Sequence, residues 1–146
     1  MKYNRYQKRD AIRDYFPLPN EIFCLGLSSG EIAVYAYLLY RENRKTFQCY
    51  PSFRTIGNAL NMSRNTVSKY VKRLEEKQLI RTEPTDIRMA NGMKRNGNLL
   101  YTVLPIEQAK SLYFERQLQR AARQQAHEKA IRKLERYDRK KNQEAV

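Results

Sequence analysis

The chain has no tryptophan, a single histidine and two cysteines, and it carries 15 Asp and Glu against 29 Lys and Arg. Each scarcity excludes something. With His127 alone, most Ser-His, Cys-His and histidine-metal chemistry is removed. Cys24 and Cys49 stand apart with no Cys-x-x-Cys pair, so no zinc site is expected and both read as reduced thiols. The longest apolar runs, such as Ile32 to Tyr40, fall far short of the ~18–20 residues of a membrane span. The basic start, Met1-Lys2-Tyr3-Asn4-Arg5-Tyr6, has no apolar signal core after it, so a cytoplasmic protein is expected. No carboxylate cluster suggests two-metal chemistry. The segment Asn91 to Gly97 lacks the Gly-Lys-Ser/Thr and following helix of a nucleotide phosphate loop. The expectation is a protein without catalytic activity, cofactor, metal, membrane anchor or evident small-molecule ligand.

What is present is positive charge. The 146 residues carry a formal net charge of +14, and the sequence pI is near 10.0. Such a balance points to a polyanion, either nucleic acid or an anionic surface. The length allows one compact domain plus an appendage. Hydrophobic residues make up 41% of the chain, enough for a modest core. The charge never reverses sign along the chain. Only the middle is both basic and hydrophobically patterned, so it can fold and bind.

Residues 1–19 read as a basic arm, since Pro17 and Pro19 favour extended backbone. Glu21 to Leu25 could be a short strand or an extended lead-in. Ser28 with Glu31 three residues on is a capping box, and Ile32, Tyr35, Ala36 and Leu39 follow at helical spacing. This helix should end near Asn43. Arg44 to Pro51 is a polar connection that turns apolar at Phe47. Ser52 caps a short second helix with Phe53, Ile56 and Leu60 on one face, ended by Asn61 in a left-handed conformation. Ser63 caps a third helix, with Val67, Val71, Leu74 and Gln78 at helical spacing. Two capped helices joined across Asn61-Met62 are the signature of a helix-turn-helix. Leu79 to Glu83 and Asn98 to Leu104 read as strands around the Asn- and Gly-rich loop 89–97, making a wing over 79–104. From Ile106 there is neither Gly nor Pro, so a long helix is expected by propensity, without a firm heptad seam. The expected fold is mainly α with a small β wing (α+β): arm 1–19, winged helix-turn-helix 20–105 and basic helical tail 106–146.

On a wheel of about 100° per residue, Val67, Val71 and Leu74 define the buried face of the third helix, 63–77. The exposed face offers Arg64, Asn65, Thr66, Ser68 and Lys69. These side-chain types read base edges: Arg on guanine, Asn on adenine, Ser and Thr on either. Lys72 and Arg73 are better placed for phosphates, and Lys94 and Arg95 at the hairpin tip would reach a minor groove or the backbone. An amphipathic helix always has a polar face, and most such faces are merely solvated. The two tight caps, the basic hairpin and the net charge together favour DNA.

The run Tyr50-Pro51-Ser52-Phe53-Arg54-Thr55-Ile56-Gly57-Asn58-Ala59-Leu60-Asn61-Met62-Ser63-Arg64-Asn65-Thr66-Val67-Ser68-Lys69-Tyr70-Val71-Lys72-Arg73-Leu74-Glu75-Glu76-Lys77-Gln78-Leu79-Ile80 resembles the winged helix-turn-helix of GntR-type bacterial repressors. It is more similar still to short helix-turn-helix proteins of Gram-positive mobile elements, plasmids and phages, whose pattern includes a helix start like Leu27 to Glu31. The resemblance spans roughly residues 20–104. It implies that Ser52 and Thr55 contact phosphate and that Ser63, Arg64, Asn65, Thr66 and Lys69 face the groove. The sequence departs from GntR repressors in its longer Asn91 to Gly97 wing loop, and the residues after Pro105 are too few for their effector domain.

The expected function is sequence-specific binding of double-stranded DNA by a nucleoid-associated bacterial transcriptional regulator, with a homodimer on a two-fold site as one arrangement. Rival readings are a plasmid or mobile-element replication protein on origin repeats, an adaptor that docks its basic tail on an acidic partner, and RNA binding. The tail carries Arg116, Arg120, Arg123, Lys129, Arg132, Lys133, Arg136, Arg139, Lys140 and Lys141, read as contacting DNA backbone, as packing on a partner or a second copy, or as a solvated helix. The arm, with Lys2, Arg5, Lys8, Arg9 and Arg13 among Tyr3, Tyr6 and Tyr15, reads either as touching DNA or as a disordered terminus.

Overall fold

The computed structural model describes residues 15–145; most of the basic arm, including Lys2, Arg5, Lys8, Arg9 and Arg13, lies outside them. A 3-10 turn, Asn20–Cys24, precedes helix α1 (Ser29–Arg41), strand β1 (Gln48–Cys49), helices α2 (Phe53–Leu60) and α3 (Arg64–Glu76), strands β2 (Ile80–Glu83), β3 (Asp86–Arg88), β4 (Lys94–Asn96) and β5 (Leu100–Val103), and helix α4 (Ile106–Glu144). The chain is a winged helix-turn-helix with a long C-terminal helix, an α+β fold. It forms two compact units, one ending at Lys110 and one beginning at Ser111.

The starts of α1, α2 and α3 follow one chemical rule. Ser28, Ser52 and Ser63 each hold extended backbone, and each side-chain oxygen accepts the amide three residues on, from Glu31, Thr55 and Thr66 respectively. Such a cap stabilises a helix by about 1 kcal/mol. At α1 the cap is reciprocal, because the Ser28 amide donates to Glu31 Oε2 at 2.8 Å. The ends are equally local. Asn61 is left-handed (φ 54°), and its amide donates to the Gly57 carbonyl. Gln78 is also left-handed (φ 58°). The Gln78 amide reaches the Glu75 carbonyl and the Leu79 amide reaches that of Leu74, both at 3.0 Å. This double closure satisfies the last carbonyls of α3 and places Gln78 beyond the helix rather than on its face.

α1, α2 and α3 pack on one another, and α1 and α3 also pack on the sheet. Val34, Leu38, Ile56, Val67, Leu74 and Leu79 are fully buried between them. The main sheet is antiparallel in the order β1-β5-β2, and β3 and β4 form a separate two-stranded ribbon. Tyr101, in the central strand, is opposite Cys49 on one side and Thr82 on the other.

Three details differ from the sequence expectation. Residues 20–24 form a 3-10 turn rather than a strand, because the Ile22 amide returns to the Pro19 carbonyl and turns Ile22 into the core. The polar connection contains a short strand, β1. There Phe47 takes φ 57° and turns the chain so that Gln48 and Cys49 pair with β5. Lys94 and Arg95 lie along β4 instead of at the hairpin tip. The turn runs through Asn91 and Gly92 (φ 79°), and Arg88 and Ile87 stand opposite Lys94 and Arg95. A three-residue polar strand has no hydrophobic alternation, so nothing separated it from the loop in sequence.

The unit from Ser111 onward is helical and almost wholly exposed. It is braced by its own turns, with Gln119 donating to Glu115 and Gln124 to Glu128. Phe114, Leu118, Ile131, Leu134 and Tyr137 are all exposed on it. No helix among the described residues is long and apolar enough to cross a membrane.

Candidate nucleic-acid interface

Val67, Val71 and Leu74 turn the apolar stripe of α3 into the core. The opposite side is left open. Arg64, Asn65, Lys69, Lys72 and Arg73 are exposed, and Thr66 and Ser68 are half-buried. Asn65, Ser68, Lys69, Lys72, Arg73 and Glu76 line one shallow depression along the helix. Five residues singled out in the sequence therefore share one surface. Arg73 leans over the Tyr70 ring at 5.9 Å from its centroid, which holds the guanidinium at the edge of this face.

The cap hydroxyls of α2 and α3 also pair with a threonine hydroxyl. Ser52 Oγ and Thr55 Oγ1 lie 2.9 Å apart, and Ser63 Oγ and Thr66 Oγ1 2.8 Å apart. Each hydroxyl pair shares one proton internally and keeps one to donate elsewhere. Together with the uncapped amides of the first turn and the helix dipole, that is the chemistry that holds a phosphate oxygen. At α2 the spare donor opens on a polar cavity that is also lined by Arg41, Gln48, Tyr50 and Asn98. The Asn98 side-chain Nδ2 donates to the Tyr50 carbonyl at 3.2 Å, tying the entry to β5 to the entry to α2. These four candidates were invisible in sequence, since they come from separate segments that only the sheet brings together.

Two polar ties fix α3 at its far end. Glu31, 2% exposed, receives Lys77 Nζ at 2.9 and 3.2 Å, and Lys77 also donates to the Gly26 carbonyl at 3.3 Å. The Thr82 amide and hydroxyl both donate to Glu75 Oε1, at 3.0 and 2.8 Å. One tie runs to the start of α1 and the other to β2, so the exposed face of α3 has a set direction. Arg88, Lys94 and Arg95 are exposed on the ribbon.

Beside the α2 cavity, the Glu42 carboxylate has one buried oxygen, Oε2, with no hydrogen-bond partner. Burial pushes its pKa up, and Arg44 opposes the shift in part. Burial, with Glu42 adding to it, also pushes Tyr35 up to about 12 and Cys49 up to about 11, so both stay neutral near pH 7. Because the folded-state pKa of Glu42 is raised, wild-type stability should be full below the ordinary carboxylate range. It should be lost as pH climbs through the raised value. Glu42→Gln lacks that loss. It is expected to raise the unfolding midpoint at neutral pH relative to wild type. The gain should vanish in acid, and thermal melts of both proteins across pH would reveal a pH-independent difference if the idea is wrong.

One family match bears on the helix-turn-helix segment. The family described as a helix-turn-helix domain matches residues 25–80. Among solved structures, the "Possible transcriptional regulator from Methanosarcina mazei Go1" aligns at 18% identity and a TM-score of 0.49, over 73% of this chain and 81% of that one. The transcriptional regulator SlyA aligns at 21% identity and a TM-score of 0.38, over 71% of this chain and 63% of that one, which is less than two thirds of its length. No curated protein matches the sequence.

Proposed function

We propose that this protein binds double-stranded DNA in a sequence-dependent way and regulates transcription, with α3 lying in the major groove. What supports this most is the single exposed face of α3. Asn65, Ser68, Lys69, Lys72 and Arg73 line one depression on it, and Lys77 and Glu75 hold the helix at its other end. A groove admits one helix, and base edges are usually read by its N-terminal part. Arg64, Asn65, Thr66, Ser68 and Lys69 are the base readers in this proposal. Ser52, Thr55, Ser63, Lys72, Arg73, Lys94 and Arg95 contact phosphate or backbone. Residues 20–105 form the reading domain, and the arm 1–19 and tail 106–146 add charge. The net charge of +14 supplies the salt-sensitive attraction that brings the two together.

Selection of bound sequences from a random duplex pool at about 150 mM salt tests this directly. A defined motif is expected. Palindromic half-sites would mean a dimer on an operator, and direct repeats would favour the origin-binding role of plasmid and mobile-element proteins. Binding that selects no motif would remove sequence reading from the proposal. On the selected site, Asn65→Ala should cost about 1–3 kcal/mol and relax the preference at one position. Equal losses on selected and random duplexes would show that Asn65 is not a base reader. Lys94→Ala with Arg95→Ala should weaken binding to every sequence and lower the salt slope by about one for each phosphate no longer neutralised. A slope equal to that of the wild type would take these residues off the backbone.

A further inference from the structure

We propose that the tip of the β3–β4 ribbon is an apolar wedge that enters the minor groove and bends the bound DNA. The proposal rests on the DNA-binding reading above. Ile87, Met89 and Met93 are 55%, 45% and 62% exposed, three large apolar side chains on one short hairpin. The register explains how they gather. Ile87 is opposite Arg95 and Arg88 is opposite Lys94, and the Met89 amide donates to the Met93 carbonyl at 2.9 Å. Side chains alternate between the two faces of a strand, and directly opposed residues share a face. Ile87, Met89, Met93 and Arg95 therefore share one face of the ribbon, while Asp86, Arg88, Lys94 and Asn96 share the other.

The ribbon is built to present this face. Its strands pair only with each other. At the tip, a Cβ added to Gly92 would meet nothing within 4 Å, so the turn stands clear of its surroundings. The base, in contrast, is tied down. The Gly97 amide donates to the Thr85 carbonyl at 2.6 Å, the Thr85 hydroxyl donates to the Asn98 carbonyl, and a Cβ at Gly97 would overlap Thr85. A firm base with a free apolar tip can push.

Charge decides what it pushes into. Arg88, Lys94 and Arg95 surround the apolar residues, with Asp86 the one acidic residue on the two strands. A second copy of so basic a chain would meet this cationic ribbon with repulsion, whereas a polyanion meets it with attraction. DNA also has a use for the apolar part. Minor-groove proteins insert Met, Ile, Leu or Phe between base steps and kink the duplex by about 20–90°, with Arg and Lys alongside. A minor groove about 6 Å wide has no room for a two-stranded ribbon laid flat, so only the narrow tip enters and further entry requires the groove to open. Met89 and Met93, opposed at the tip, are the side chains that would separate the step.

The test uses the full-length protein and an end-labelled duplex carrying the site recovered by selection. Energy transfer between the duplex ends reports the bend, anisotropy reports binding, and sedimentation reports self-association. Wild type is expected to shorten the end-to-end distance on binding. The Met89→Leu/Met93→Leu double variant should bend the duplex as wild type does. The Met89→Ser/Met93→Ser variant should bind in the same footprint and leave the duplex straight. Wild-type binding without a bend overturns the wedge and leaves the DNA-binding reading standing, as does a serine variant that bends like wild type. A serine variant that instead loses a wild-type self-association identifies a second copy as the occupant and overturns it too. If wild type binds no duplex at all, the functional reading itself falls, and the wedge with it.

Discussion

Gly57→Ala is expected to lower the unfolding midpoint sharply and to weaken DNA binding at any temperature where the variant is partly unfolded. Gly57 is buried in α2, and its carbonyl accepts the amides of Asn61 and Met62, the latter at 2.9 Å. The chain doubles back so closely here that an added Cβ would overlap the Met62 carbonyl oxygen, which is backbone and cannot rotate away. Something must move: either the turn opens or α2 lifts from α3. Overpacking of this kind costs about 1–3 kcal/mol, sometimes more. In a domain of this size each kcal/mol lowers the midpoint by about 4–8 °C. Asn58→Ala, on the same helix but exposed, should leave the midpoint nearly unchanged. Thermal melts of the two variants measure the contrast. Equal midpoints for Gly57→Ala and wild type would mean that the turn tolerates the extra methyl.

Lys77→Met should be at least as damaging, for a different reason. It leaves the Glu31 carboxylate buried with the Ser28 amide as its remaining donor, at 2.8 Å. Breaking a buried ion pair from one side usually costs about 3–5 kcal/mol, because an uncompensated charge stays behind. The Lys77 side chain is 31% exposed, so water can reach part of the vacated space; about 2–3 kcal/mol is therefore expected. Glu31→Gln should cost less, since a neutral amide needs no counter-charge, although it weakens the cap of α1. The double variant should cost less than the sum of the two singles, with a coupling of about 0.5–3 kcal/mol. Strict additivity in denaturant melts would show that the pair does not hold α1 to α3.

Both predictions concern the direction of α3, and direction was the least legible part of the molecule. The sequence shows Glu31 as half of a capping box and Lys77 as one more basic residue near a helix end. Nothing in a one-dimensional pattern joins residues so far apart in the chain. Gly57 is similar: in sequence it is a helix-weakening glycine, and only the approach of the Met62 carbonyl gives it a reason. The same holds for the cavity at the start of α2, where Arg41, Gln48, Tyr50 and Asn98 converge on Ser52 and Thr55. The ribbon was blurred for another reason. Asn91, Gly92 and Gly97 announce a turn, but the strands beside it are too short and too polar to show a period of two.

Features that depend on neighbours in the chain can be read from the amino acids alone. Ser28, Ser52 and Ser63 start α1, α2 and α3 because a serine hydroxyl at the residue before a helix reaches the amide three positions on. Asn61 ends α2 because its side chain tolerates a left-handed backbone. Val67, Val71 and Leu74 face inward because they recur at the helical period, and that alone leaves Asn65, Lys69 and Lys72 outside. Packing in three dimensions sets which way that polar face is held, which distant side chains share the first turn of α2, and that Lys94 and Arg95 flank an apolar tip. Local geometry repeats every few residues and can be counted along the chain. The Lys77–Glu31 pair, the β1–β5 register and the close approach at Gly57 exist only once the core has brought separate segments to within a few ångströms.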